Sequence, residues 1–169
     1  MRYAAAFLIA VCFSMSGRLV SGKLKMRITK LEKIYVLFSD IKSRVEFTAD
    51  CAADIFSSLS ASYSYDVLPF VSDCACRLLQ GESFDSAWES AVSEKENVSN
   101  LKKEDVAILF SFGGGFGTTD TTGQLSNCEI HKKLIEEKLA EAYKDFNLHS
   151  RPAKGIGLLA GIAVLILSV

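Results

Sequence analysis

The segment Phe112–Gln124, FGGGFGTTDTTGQ, has the residue types of a binding site more than any other part of this 169-residue chain. Glycines at 113, 114, 115 and 117 could turn backbone amides toward an anion. A phosphate loop also needs a β-strand before it and Gly-Lys-Ser/Thr after it, and the sequence offers neither. The competing reading is a corner between two helices. Glycine allows close helix approach and a left-handed exit, and Asp120 or Thr121 would cap the helix that follows. Gly113 and Gly117 are four residues apart and would share one helical face. Thr121-x-x-Gln124 matches a capping box. The corner is the favoured reading.

Other reactive residue types do not assemble into a site. A Ser, Cys or Thr nucleophile needs a base within reach. The two histidines are His131, in a charged helical stretch, and His149, near Pro152. Cysteines 12, 51, 74, 76 and 128 are odd in number and irregularly spaced. Cys74-x-Cys76 is neither a redox pair nor half of a zinc site. They read as reduced thiols in core positions. Glu136–Glu137 and Glu94/Glu96 read as solvated helix faces. Neither a catalytic residue nor a metal or cofactor site is expected, and so no enzyme. Trp88, in step with Phe84 and Val92, reads as core.

The elements that would carry these residues are helices. The formal charge is −1, which argues against a nucleic-acid binder. Apolar residues make up 49% and concentrate at both ends. Residues 3–17 follow a single arginine and read as a membrane anchor or a signal peptide. Val11 before Cys12 argues against a lipoprotein. Residues 155–169 carry no charged side chain. As a helix they reach only about 22 Å against about 30 Å of hydrocarbon. Gly157 and Gly161 form a Gly-x-x-x-Gly face suited to packing on another membrane helix. Lys23, Lys25, Arg27, Lys30 and Lys33 flank the first segment, and Lys144, Arg151 and Lys154 the second. The positive-inside rule then places the middle in the cytoplasm and both termini across the membrane. The expected division is 1–22 transmembrane, 23–150 cytoplasmic bundle and 151–169 transmembrane.

Between the ends, apolar spacing of three and four predicts an all-α bundle of about six helices. Leu24, Ile28, Leu31, Tyr35, Phe38, Ile41 and Val45 mark a long helix continuous with the first apolar segment. Thr48 would cap a short helix through Cys51, Ile55 and Leu59. Residues 60–65 read as a loop. A helix starting at or just after Asp66 carries Leu68, Val71, Ala75, Leu78 and Leu79, and Gly81 ends it in a left-handed conformation. Ser83 caps a helix with Phe84, Ala87, Trp88 and Val92. Residues 93–100 connect to a helix over 101–112 with Val106, Leu109 and Phe110. The last helix runs from about Thr121 to Leu148.

Several of these segments, taken in order, resemble one family. They are Gly81-Glu82-Ser83-Phe84-x-x-Ala87-Trp88, Leu101-x-x-x-Asp105-x-x-x-Leu109 and Phe112-Gly113-x-x-x-Gly117-x-x-Asp120-x-x-x-Gln124, then Lys154-x-x-Gly157-Leu158-Leu159-x-Gly161. Their order and spacing resemble the stage III sporulation protein AB family of endospore-forming bacteria. Gly114, Gly115 and Gly123 make the third segment richer in glycine than that pattern. The resemblance implies a scaffold in the sporulation channel complex, with a cytoplasmic part similar to the all-α domains of the type II secretion inner-membrane platform protein. It implies the mother-cell membrane around the forespore as location. Partners would be other stage III sporulation proteins, including the assembly ATPase, stage III sporulation protein AA. Two other readings stand beside it: a membrane-anchored sensing module that binds an anionic ligand at 112–124, and a secreted helical protein.

Overall fold

The computed structural model describes the backbone at residues 2–47, 51–117 and 119–167, and side chains at residues 21–47, 51–117 and 119–148. Within these residues it holds six α-helices and no strand. The chain divides into two compact units, residues 1–28 with 141–169, and residues 29–140.

Helix α1 runs unbroken from Arg2 to Phe47. In the larger unit its buried stripe is Leu31, Ile34, Leu37, Phe38, Ile41 and Val45. Ile34 and Leu37 widen the expected stripe, whereas Tyr35 is only half-buried. A helix covered on more than one side buries a broader arc than a two-helix seam requires. Its antiparallel neighbour is α6, Thr121–Leu167. Lys42 bonds Glu129 at 2.9 Å, Lys132 lies over the Tyr35 ring, and Phe38 meets His131 edge-on. The ion pair raises the Lys42 pKa and lowers that of Glu129, mainly through their hydrogen bond.

The shorter helices are α2 (Ala52–Ser60), α3 (Pro69–Leu79), α4 (Phe84–Ser93) and α5 (Lys103–Gly115). They pack in succession, α2 on α3, α3 on α4 and α4 on α5. Several boundaries differ from expectation. Cys51, not Thr48, is the N-cap position of α2, and its thiol donates to Asp54 at 3.0 Å; Thr48 lies outside the described residues. The stretch read as a loop contains a 3-10 turn over Tyr63–Tyr65. Tyr65 is buried there, and its hydroxyl donates to Asp40. Within the range expected from Asp66 onward, helix α3 starts at Pro69, because proline is pre-set for the first helical position. Leu79 points outward, 70% exposed, past the last core residue Leu78. Gly81 has φ +89° and ends α3 as a Schellman motif. Its N–H donates to the Leu78 carbonyl, and the N–H of Glu82 to the Arg77 carbonyl. Helix α6 does not stop at Leu148 but continues through Pro152, a residue that withholds a single amide donor.

Two of the basic residues counted as a membrane flank are buried. Arg27, 2% exposed, pairs with Glu141 and Asp145 at 3.8 and 3.7 Å within the smaller unit. Lys30, 5% exposed, donates to the Asn97 carbonyl and the Ser99 hydroxyl, and burial lowers its pKa. Lys23 and Lys25 are exposed. Among the described residues no helix is long and apolar enough to cross a membrane. The side chains of 3–17 and of 151–169, which carry the membrane expectation, and Gly157 and Gly161 with them, lie outside the described residues.

Candidate functional site

The corner and the tryptophan belong to one cluster. Ser83 starts α4 by accepting from the Ser86 amide at 3.4 Å. One turn further, Trp88 is 1% exposed. Its ring centroid lies 5.3–5.7 Å from those of Phe56, Phe70, Phe84 and Phe112. These separations are typical of attractive tilted and edge-to-face pairs. The indole Nε1–H donates to the Leu109 carbonyl at 2.7 Å. A buried indole needs such a partner, and Gly113 makes this one reachable. A Cβ on Gly113 would sit 2.9 Å from Trp88 Nε1 and closer still to Cδ1. Phe112 carries the cluster onward, stacking on Phe38 at 4.4 Å and meeting His131 edge-on at 5.6 Å.

Each remaining glycine of the corner has its own place. Helix α5 runs through 113–115, so Gly117 is not on a shared helical face with Gly113. Gly117 instead has φ +80° with nothing near its missing Cβ, and backbone conformation is what requires it. A Cβ on Gly115 would lie 2.9 Å from Asn127 Oδ1. Asn127 Nδ2 donates to the Phe112 carbonyl at 3.0 Å, tying α6 to the end of α5. Asn127 in turn accepts at 2.8 Å from Nδ1–H of buried His131, which fixes that tautomer. Gly123 leaves room for Thr119 and Asp120. Gly114 meets nothing within 4 Å.

The start of α6 is closed by Asp120. Its Oδ1 accepts from the Gly123 amide at 2.9 Å, and its carbonyl from the Gln124 amide at 2.9 Å. The expected box between Thr121 and Gln124 does not form; the Gln124 side chain donates to the Thr119 carbonyl at 3.1 Å. An Asp at the cap leaves Thr121 inside the first turn, where its hydroxyl is one residue too late to cap. The amides of 113–115 lie within α5, and that of Phe116 donates to the carbonyls of Phe112 and Gly113. The amides of 113–116 are therefore engaged within α5, and the group that accepts from the Gly123 amide at the start of α6 is a carboxylate of the chain itself.

Two polar residues carry structural roles that apolar spacing does not reveal. Asp105 is fully buried and accepts from the Lys102 amide at 2.9 Å, which starts α5 two residues later than Leu101. Asn97 donates to Asp73 and to the Ala91 carbonyl, organising the α4–α5 connection. Phe110 was placed in the core by periodicity but is 38% exposed, because Asp105, Leu109, Phe112 and Gly113 define the inner face of α5. The only signal for the first was Asp three residues after a helix start. Cys74 and Cys128 are buried thiols pushed up to about 12 by desolvation, whereas Cys51 and Cys76 are exposed and do not fill core positions. No group of His, Cys, Asp and Glu that could hold a metal occurs among the described residues.

The sequence profile of stage III sporulation protein AB matches residues 2–169. The chain belongs to the stage III sporulation protein AB family. A curated member, "Stage III sporulation protein AB" of Bacillus subtilis (strain 168), is 26% identical over 86 residues, 51% of this chain. That match spans 50% of the length of the curated relative. A solved structure named "Stage III sporulation protein AB (SpoIIIAB)" superposes with a TM-score of 0.65 at 18% identity, covering 72% of this chain and 97% of that one. At that identity the superposition shows a shared fold. Gly81, Trp88, Phe112, Gly113, Gly117, Asp120 and Gln124, which carried the family resemblance, lie in the all-α bundle.

Proposed function

We propose that this chain is a non-enzymatic scaffold of the sporulation channel complex, anchored at both ends in the mother-cell membrane around the forespore. Its helical middle faces the cytoplasm and contacts the assembly ATPase, stage III sporulation protein AA. The family match over 2–169 carries the reading. The corner at 112–124 supports it from another side, because Gly113, Gly115, Asp120 and Asn127 serve the packing and capping of the bundle. The apolar ends and the exposed Lys23 and Lys25 support the orientation, with Gly157 and Gly161 as the packing face of the second anchor.

Two measurements test it. Protease added after the mother cell is opened, with the forespore and its membranes intact, should digest residues 23–150; protection of that region would reverse the orientation. Affinity-tagged chain purified from sporulating cells should retain the ATPase. Purification that brings down other stage III proteins but never the ATPase would remove the contact and leave the scaffold role.

A further inference from the structure

The outer face of α5 is unusual for a solvent-facing helix. Lys103, Val106, Ala107 and Phe110 fall at i, i+3, i+4 and i+7, the spacing of a single stripe, and Gly114 extends it by four. The stripe forms one wall of an open groove of about 430 Å³. Val98, Ser99, Asn100 and Leu101 of the α4–α5 connection form the other wall. That wall is fixed. Buried Lys30 donates to the Asn97 carbonyl and the Ser99 hydroxyl, Asn97 bonds Asp73 and Ala91, and Asn100 turns the chain at φ 67°. A groove between a helix and a braced connection is preformed, which lowers the ordering cost of binding.

Its chemistry selects one kind of occupant. Among the described residues, the charged ones lining it are Lys95 and Lys103; Glu94, Glu96 and Glu104 are sequence neighbours that are not part of that lining. Phe110 offers an aromatic contact in the apolar part. Gly114 supplies an independent observation. A glycine in a helix costs about 1 kcal/mol relative to alanine, and every other glycine of the corner is accounted for by a clash or a positive φ. Gly114 has neither, so nothing among the described residues explains it. A close approach from outside the chain would.

We propose that this groove docks an acidic amphipathic helix of a partner protein. The helix seats its apolar side chains on Val106, Ala107 and Phe110, brings its backbone close at Gly114, and directs carboxylates to Lys95 and Lys103. The proposal deepens the scaffold reading and rests on it for the claim that a protein partner exists.

The test uses the full chain in detergent and two fluorescein-labelled helical peptides. Both carry leucines on one face; one has flanking glutamates and the other flanking lysines. Fluorescence anisotropy should show the glutamate peptide binding more tightly, with affinity falling as salt rises. Phe110→Ser should weaken it by about thirtyfold, the scale of a central interface residue, and Gly114→Leu by about tenfold or more. Lys95→Glu with Lys103→Glu should reverse the preference between the peptides. A Cβ at Gly114 meets no described atom within 4 Å, so an unchanged melting temperature of Gly114→Leu accompanied by lost binding supports docking. Equal binding of the two peptides, no binding of either, or full affinity in Gly114→Leu would overturn the proposal, as would self-association of the chain through this face. Retention of the sporulation ATPase separates the two readings. If the natural chain retains it and both Phe110→Ser and Gly114→Leu do too, the groove fails and the scaffold stands. If the natural chain does not retain it while the glutamate peptide binds as described, the ATPase contact fails and the groove stands.

Discussion

The interior around Trp88 and the helix pair around Arg27 solve the same problem by opposite means. At Trp88 five aromatic rings close on one another, and a single polar atom, the indole N–H, meets one carbonyl. At Arg27 a guanidinium is almost fully buried and is balanced by Glu141 and Asp145, which stay partly exposed. The first region gains from apolar area removed from water. The second must offset the desolvation of a charge before it gains anything. The difference teaches where tolerance lies. An apolar interior punishes lost or added volume, whereas a buried ion cluster punishes loss of one partner more than loss of all.

Trp88→Ala should have the largest effect, about 3–5 kcal/mol of unfolding free energy in urea titrations. Trp88→Phe should cost markedly less, since it keeps most of the ring contacts and leaves one carbonyl without the indole. Next comes the pair Glu141→Gln and Asp145→Asn. It leaves the guanidinium buried beside neutral groups and should cost about 3 kcal/mol. Arg27→Met should cost less than that, because the carboxylates it leaves are partly hydrated. A reversed order would show that the helix pair is held there by packing of the arginine side chain and not by charge balance.

Added volume gives the third contrast. Gly113→Ala drives a methyl group into the indole and should cost about 1–3 kcal/mol. Gly114→Ala, one residue on, should leave stability level or raise it by up to about 1 kcal/mol. Thermal melts of the two variants side by side check this. Asp120→Ala removes the cap of α6 and should cost about 1 kcal/mol. The smallest effect belongs to the thiols. At pH 8 iodoacetamide should label Cys51 and Cys76 in the folded chain and reach Cys74 and Cys128 only after denaturant is added. The buried pair also sets an alkaline limit. Their pKa is raised from 9.0 to about 12 in the folded state, so the unfolded chain ionises first, and stability should fall as pH rises from 9 toward 12.

Helix type, number and most inner faces were legible because they are written in local periodicity. Phe38, Ile55, Val71, Trp88, Leu109, Cys128 and Ile135 all lie where spacing put them. Gly81 was legible for a similar reason, since a left-handed residue just past an apolar stripe is a local demand. The corner was half legible. That glycines and Asp120 belong to a turn followed from composition, but spacing assigned Gly117 to a helical face when a positive φ is what it serves. Spacing also put Phe110 inside. Periodicity ranks faces of one helix and cannot say which face meets a neighbour when two are apolar.

The sequence by itself determined the all-α class, the cap at Ser83, and a resemblance to a sporulation family; at the start of α6 it left Asp120 and Thr121 open. These depend on contacts within a few residues or on order along the chain. Tertiary structure alone decided that Gly113 makes room for Trp88, that Gly115 makes room for Asn127, and that Arg27 and Lys30 are buried rather than left in a basic flank. Each of these joins residues distant in the chain. Whether a charge is desolvated or a Cβ clashes depends on what packing brings opposite it, and no local pattern encodes that.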